Sequence, residues 1–205
     1  MIYRALIPVK TLHHAKSRLA PYLNEKERAA LVLSMLQHVT SMLLDSSKFE
    51  RVSVVSADRK VLEQAQSWGA EAILEERQGH NPALEVAALA ELAEGTEALL
   101  TISADLPLLQ VNDVCNMIAQ SQQYDIVLAP SLDGTGTNAL LTRPPLALPY
   151  LFGPGSLQRY SMEAKQRTLR CALYHSIGFA LDVDTINDLE MFRRYEKEYK
   201  AAHTT

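Results

Sequence analysis

Through the first 130 residues, short apolar runs alternate with stretches whose apolar positions recur every three or four residues. The first pattern marks buried strands and the second amphipathic helices, and their alternation predicts a mostly parallel sheet covered by helices. Ile2–Val9 reads as the first strand. Beyond it Ala29, Val32, Leu36, Val39 and Leu43 trace one helical face, and Asn24 with Glu27 three residues later supplies a capping pair. A strand over Arg51–Ser56, a helix over Asp58–Trp68, a short strand over Glu71–Leu74 and a helix over Pro82–Ala93 with proline in its first turn follow. Ala98–Ser103 is a strand, Asn112 caps a helix running to Gln120, and Asp125–Ala129 is the next strand.

From Pro130 the texture changes. Gly134, Gly136, Pro144, Pro145, Pro149, Gly153, Pro154 and Gly155 crowd together, as in a linker or a ligand-binding insertion. Because Asn138–Thr142 within it is strand-like and regular elements resume after it, we expect a small β-rich, ligand-binding insertion over 131–160 of a single domain, 1–205. Ser156 caps a helix to Thr168, Cys171–His175 and Ala180–Val183 read as strands, and Thr185–Tyr199 closes as an amphipathic helix.

Composition narrows the function classes. The 205 residues are 47% hydrophobic, which excludes a disordered chain, and carry 20 Lys+Arg against 24 Asp+Glu. A net charge of -4 excludes a protein that coats nucleic acid or an anionic membrane, while leaving small anionic ligands open. That average hides an asymmetry: residues 1–30 hold six Lys+Arg and two Asp+Glu, a balance of +4, whereas 61–100 hold one Arg and eight Glu, a balance of -7. Two distant cysteines, Cys115 and Cys171, give neither a disulfide framework nor a zinc knuckle. The opening apolar run is too short for a signal peptide, and no run reaches a membrane span, so a reducing cytoplasmic location is expected.

In open parallel sheets ligands bind beyond the carboxyl ends of the strands. After the first strand Lys10, Lys16 and Arg18 place three positive charges on one loop, suited to a polyphosphate, although a solvated basic loop would look the same. The glycines of a Walker A loop are missing. Asp105, in Ala104-Asp105-Leu106-Pro107, leaves an apolar strand and aims into the crevice or caps the next turn. In Leu181-Asp182-Val183-Asp184 the strand period puts both carboxylates on one side, where they repel unless a cation lies between them. With Asp105 they make a candidate Mg²⁺ cage, Asp184 serving equally as a helix cap. Asp133-Gly134-Thr135-Gly136-Thr137-Asn138 can bend its N–H groups into an anion nest, and Phe152-Gly153-Pro154-Gly155-Ser156 opens a helix whose N-terminus attracts an anion, although plain tight turns look similar. Adjacent His13 and His14 diverge and cannot easily share one ion, and Trp68 reads as helix packing.

Together these segments, from Ile7-Pro8-Val9-Lys10 and Ala15-Lys16-Ser17-Arg18-Leu19 through Gly134-Thr135-Gly136-Thr137-Asn138-Ala139-Leu140 and Phe152-Gly153-Pro154-Gly155-Ser156 to Asp182-Val183-Asp184-Thr185, resemble the CofC/FbiD family, guanylyltransferases of coenzyme F(420) biosynthesis. The resemblance implies an α/β, Rossmann-like nucleotidyltransferase fold of MobA type, with GTP as substrate and Mg²⁺ as cofactor. It implies a phosphorylated three-carbon acid as acceptor, 2-phospho-L-lactate in the archaeal form and phosphoenolpyruvate in the bacterial one. Carried over by motif, Asp105, Asp182 and Asp184 hold metal, Lys10, Lys16, Ser17, Arg18 and Asn81 contact the nucleotide with Asp105, and Lys16, Arg18 and Asp105 carry catalysis. Thr137, Asn138, Gly153 and Ser156 bind the acceptor. His80 and Ile186 depart from the family pattern, which shows Leu and Pro there. A homodimer and hand-off of the product to a downstream transferase would suit such a pathway. Rival readings are a metal-dependent glycosyltransferase using a GDP-sugar, with Asp182-Val183-Asp184 as its Asp-x-Asp, and a non-catalytic GTP-binding module.

Overall fold

The computed structural model describes residues 1–75 and 79–202. Along the chain run β1 (Tyr3–Pro8), α1 (Glu25–Asp45), β2 (Arg51–Ser56), α2 (Arg59–Ser67), β3 (Glu71–Leu74), α3 (His80–Ala93), β4 (Ala98–Ile102), α4 (Val111–Gln120) and β5 (Ile126–Pro130). They are followed by β6 (Thr137–Thr142), α5 (Ser156–Gln166), β7 (Cys171–Leu173), α6 (Ile177–Ala180) and α7 (Ile186–Ala202). The strands form one sheet in the order β3-β2-β1-β4-β6-β5-β7. All pairings are parallel except those of β6, which runs antiparallel to both β4 and β5. The strand of the expected insertion is therefore a central member of the sheet, and Pro130–Gly136 is the connection that turns the chain back.

Side-chain alternation along the strands sorts the core into layers. Ala5 and Ile7 of β1 pack with Leu36 and Val39 of α1, Val61 of α2 and Val114 of α4 on one face of the sheet. Leu6 of β1 and Leu99 of β4 face the other way, onto Leu84 and Ala87 of α3, while Leu128 and Leu140 meet Tyr160 of α5. Both faces are covered, so the central strands read as unbroken apolar runs. One charged residue interrupts them. Arg4 is only 5% exposed and its Nη1 donates to Glu91 Oε2 at 2.9 Å. Arg51 Nη2 reaches the same oxygen at 2.5 Å, and Ser53 Oγ donates to Glu91 Oε1 at 3.0 Å. This buried cluster ties the C-terminal end of α3 to the starts of β1 and β2, which fixes where the N-terminus of α3 emerges at the opposite edge.

Local chemistry explains the element ends. Asn24 accepts from the Glu27 N–H at 3.0 Å while Glu27 Oε2 accepts from the Asn24 N–H at 2.8 Å, closing the expected capping box of α1. Two expected caps shift by one or two residues. α4 starts from Gln110 rather than Asn112, because Asp113 reaches back to the Gln110 N–H at 3.0 Å. At α5 the capping position belongs to Gly155 at φ +69°, a left-handed conformation that costs glycine little, and Ser156 becomes the first helical residue. The expected strand over Ala180–Val183 is absent. Ile177–Ala180 closes as one helical turn, and Leu181–Asp184 continues as extended chain whose Val183 N–H donates to the Asp105 carbonyl at 3.2 Å. An alternating pattern needs a partner strand to become a ladder, and among the described residues none pairs with this segment. The alternation still sorts burial: Leu181 and Val183 are buried, with Asp182 and Asp184 turned the other way. No helix among the described residues is long and apolar enough to cross a membrane.

Candidate active site

The strand order reverses between β1 and β4, so the loops leaving their carboxyl ends diverge and open a crevice. The β1 loop leaves through Pro8 and Val9, the latter bonded to the Val55 carbonyl at 2.8 Å, and is pinned by Leu12 N–H donating to Asp58 Oδ2 at 3.0 Å. Two 3-10 turns, Leu12–His14 and Ser17–Leu19, follow, with buried Ala15 and Leu19 anchoring them in the core. Between the turns Lys16 takes φ +51°, ψ +42°, a left-handed conformation that costs a non-glycine residue about 1 kcal/mol. The bend carries its ammonium inward to Asp105 Oδ2 and to Asp184 Oδ1, the latter at 2.7 Å.

Asp105 leaves β4, held from behind by Ser103 Oγ at 2.6 Å. Asp182 and Asp184 arrive on the extended segment before α7. Asn138 of β6 uses its side-chain amide to hold that segment, donating to the Phe179 carbonyl at 2.9 Å, the Ala180 carbonyl at 3.1 Å and Asp182 Oδ1 at 2.9 Å. The three carboxylates thus converge, with one oxygen from each lying within 4.8 Å of the others. Burial and the charges of Asp105 and Asp184 push Asp182 up to about 6, despite the Asn138 bond. Burial acts the same way on Asp184, but Lys16, Arg18 and Lys10 outweigh it and hold its carboxyl below the usual range. Burial opposes the charge on Lys16, whose two carboxylate partners nevertheless raise it. Three hard oxygen donors, one strained by its like-charged neighbours, with a cation already between the other two, fit a divalent metal ion.

Two cavities meet at this triad. The first, 550 Å³, is bordered by Lys10, Lys16, Ser17, Arg18, Asp105 and His80. The second, 600 Å³, is bordered by the Ser131–Asn138 turn, Pro154, Ser156 and Thr185. Arg18, Thr137, Gly153, Asp182 and Asp184 border both. Lys10 and Arg18 make no ion pair among the described residues, so their charges are available to an anion. Thr137 is 8% exposed and its Oγ1 has no hydrogen-bond partner among the described residues.

Several of the expected site residues also carry structural ties. The nest expected over Asp133–Asn138 is filled from within: Gly134 N–H goes to the Ser131 carbonyl, Thr135 N–H to Asp133 Oδ1 at 2.9 Å and Gly136 N–H to Ser131 Oγ at 2.8 Å. The Ser131 hydroxyl, with the Thr135 N–H and hydroxyl, holds the Asp133 carboxyl down at about 2, and what the turn offers a ligand is Thr137. Asn138 spends its amide on the Asp182 segment, as a positioner. Asn81 spends both ends of its amide on the Phe152 backbone, each at 3.1 Å, and so clamps the Phe152-Gly153 loop to α3. At α5 the Ser156 N–H turns to the Gly153 carbonyl at 3.0 Å and the Leu157 N–H to the Thr135 carbonyl at 3.2 Å, so that terminus offers its dipole more than free donors. Sequence reasoning passed over the role of Ser103, which steadies Asp105 from two residues away, and His80, named only as a departure from the family pattern, stands at the first cavity edge-on to Phe152 at 5.8 Å. Burial and nearby Lys10 hold the His80 imidazole below its ordinary pKa.

The family model described as guanylyl transferase CofC-like matches residues 3–201. A phosphoenolpyruvate guanylyltransferase from Sphaerobacter thermophilus is 39% identical over 186 residues, spanning 91% of this chain and 90% of the relative. A 2-phospho-L-lactate guanylyltransferase from Methanothermobacter thermautotrophicus is also 39% identical over 186 residues, spanning 90% of this chain and 81% of the relative. Among solved structures, one described as a nucleotide-diphospho-sugar transferase from Desulfovibrio desulfuricans G20 superposes with a TM-score of 0.75 at 18% identity, covering 96% of this chain and 89% of that one. The mixed seven-stranded sheet with helices on both faces is the expected nucleotidyltransferase fold.

Proposed function

Because the chain belongs to the CofC-like guanylyl transferase family, we propose that it transfers GMP from GTP to the phosphate of a small three-carbon phospho acid in coenzyme F(420) biosynthesis, with release of pyrophosphate. The observation that carries this reading is the meeting of two cavities at Arg18, Asp182 and Asp184, which lets two anionic substrates present their phosphates to one another. GTP takes the first cavity, its triphosphate on Lys10, Lys16, Ser17 and Arg18. The acceptor takes the second, with Thr137 Oγ1, Gly153 and Ser156 around its phosphate and carboxylate, so that 131–160 is the acceptor-binding part of one nucleotidyltransferase domain.

An acceptor phosphate oxygen attacks the α-phosphorus in line. The new P–O bond forms as the bond to the β,γ-pyrophosphate breaks, and the electron pair leaves on pyrophosphate. A phosphate nucleophile is already deprotonated, so this chain's residues act by positioning and charge neutralisation, without a general base. Asp105, Asp182 and Asp184 would hold Mg²⁺, which when bound neutralises charge and templates phosphate oxygens. Lys16 and Arg18 donate to oxygens on which charge gathers. The reading extends to a cytoplasmic enzyme that hands its anhydride product to a later transferase. It also extends to a homodimer, for which the exposed Val86, Leu89 and Leu92 on α3 are the supporting feature.

A pyrophosphate-release assay crossing four nucleoside triphosphates with 2-phospho-L-lactate, phosphoenolpyruvate and 3-phosphoglycerate tests the proposal. Release from GTP with at least one acid is expected. Sugar release from a GDP-sugar without use of GTP would return the glycosyltransferase reading, and GTP binding without turnover on any acid would return the binding module.

A further inference from the structure

A third cavity, of 300 Å³, opens beside the first and shares Pro8, Val9, Lys10 and His80 with it. A nucleotide whose phosphates rest on Lys10 therefore reaches this space with its sugar and base. We propose that this cavity is the purine pocket and that Glu75 is the residue that selects guanine within it, an inference that rests on the reading of the first cavity as a GTP site.

The chemistry of the walls carries it. Pro8, Val55, Ala83 and Leu84 supply apolar surface, the setting for a flat heteroaromatic ring. Among the described residues, Glu75 is the acidic one that borders the same space. It follows β3 directly, and its backbone is fixed by a 3.0 Å bond from its N–H to the Ser56 carbonyl. The residue is half-buried, and its carboxylate makes no hydrogen bond or ion pair among the described residues. An acid kept unpartnered against apolar surface invites a ligand that brings donors. Guanine brings two adjacent ones, N1–H and the 2-amino group, which match the two oxygens of a carboxylate in a pair of charge-assisted bonds. Adenine presents a lone pair at N1 and no donor at C2, so it meets the same anion with repulsion. Neither pyrimidine carries two adjacent donors.

Calorimetric titration of GTP, ITP, N1-methyl-GTP and ATP into the wild-type protein and Glu75→Ala, with Mg²⁺ present, tests this. The wild type is expected to bind ITP and N1-methyl-GTP about tenfold or more weakly than GTP, each having lost one charged hydrogen bond. In Glu75→Ala the GTP to ITP ratio collapses towards one, while ATP binds as well as to the wild type or better, which also reports an intact fold. An unchanged GTP to ITP ratio in Glu75→Ala overturns the proposal. So does equal binding of GTP, ITP and N1-methyl-GTP by the wild type, a result that needs no variant to fold. Base discrimination lost on Glu75→Ala in a protein that releases no pyrophosphate supports the pocket and defeats the transfer reading; pyrophosphate release with discrimination untouched by the substitution does the reverse.

Discussion

Lys16 carries two unfavourable features at once, a left-handed backbone and a side chain that is 8% exposed, and both are offset by its carboxylate partners. Under the proposed function, ground-state stability and phosphate chemistry draw on the same atoms. Asp105→Asn retains the shape and the Ser103 contact while removing one charge from the triad. We expect pyrophosphate release to fall about 100-fold or more, the scale of losing one electrostatic contact to a transition state, with a melting temperature within a few degrees of wild type. Near-normal turnover in that variant would remove Asp105 from the machinery. Thr137→Val separates binding from folding more sharply. It deletes a buried hydroxyl that has no partner, so denaturant stability should hold or rise, while KM for the acid rises about tenfold, the worth of one lost hydrogen bond, and KM for GTP stays put. At this scale the sequence revealed residues whose place after a strand is itself the signal, Asp105 foremost. It named Asn81 and Asn138 but not their ties, because nothing local announces that an amide will bond to backbone 71 or 41 residues away.

The elements were legible wherever burial alone decides. The apolar faces of α1 and of the central strands, and the Asn24 and Glu27 box, appear as periodicity and capping residues. The expected strand over Ala180–Val183 is not one, because its alternation is genuine but among the described residues no strand pairs with it. The polar ties between elements lay beyond periodicity, and two of them can be tested. Glu91 neutralises Arg4 and Arg51 where α3 crosses the sheet. Glu91→Ala should destabilise the protein by about 3–5 kcal/mol in urea titration, since two guanidinium groups lose their buried partner. Loss of under about 1 kcal/mol would mean that Glu50 and Glu94 suffice. At the other edge, Asp125 ties β5 to the start of β7 through the Arg170 N–H and guanidinium, and these bonds hold its carboxyl down at about 2. A depressed carboxylate adds stability above its unfolded value, near pH 4, and surrenders it as pH falls through 2. Asp125→Asn should accordingly lower the melting temperature at pH 6 and lose that effect by pH 2; an equal deficit at both would deny the charge its role.

Across the whole molecule, the net charge of -4 conceals a basic loop over the crevice and an acidic stretch through α2, β3 and α3. The sheet order puts the loops after β1 and β4 on opposite sides of one opening, so chemistry scattered from Lys10 to Asp184 meets there. β6 makes the second cavity possible: by returning antiparallel through the middle of the sheet it delivers Thr137 and Asn138 to the same edge as Asp105. The account's central claim is that two phosphates are joined at this meeting point. Phosphorus NMR of the protein with GTP, Mg²⁺ and a phospho acid whose phosphate oxygens carry ¹⁸O tests it most directly. The account predicts free pyrophosphate and a pair of coupled phosphoanhydride resonances, with the label in the bridging oxygen. Spectra showing only GDP and inorganic phosphate, or a guanylylated product without label in the bridge, would contradict it.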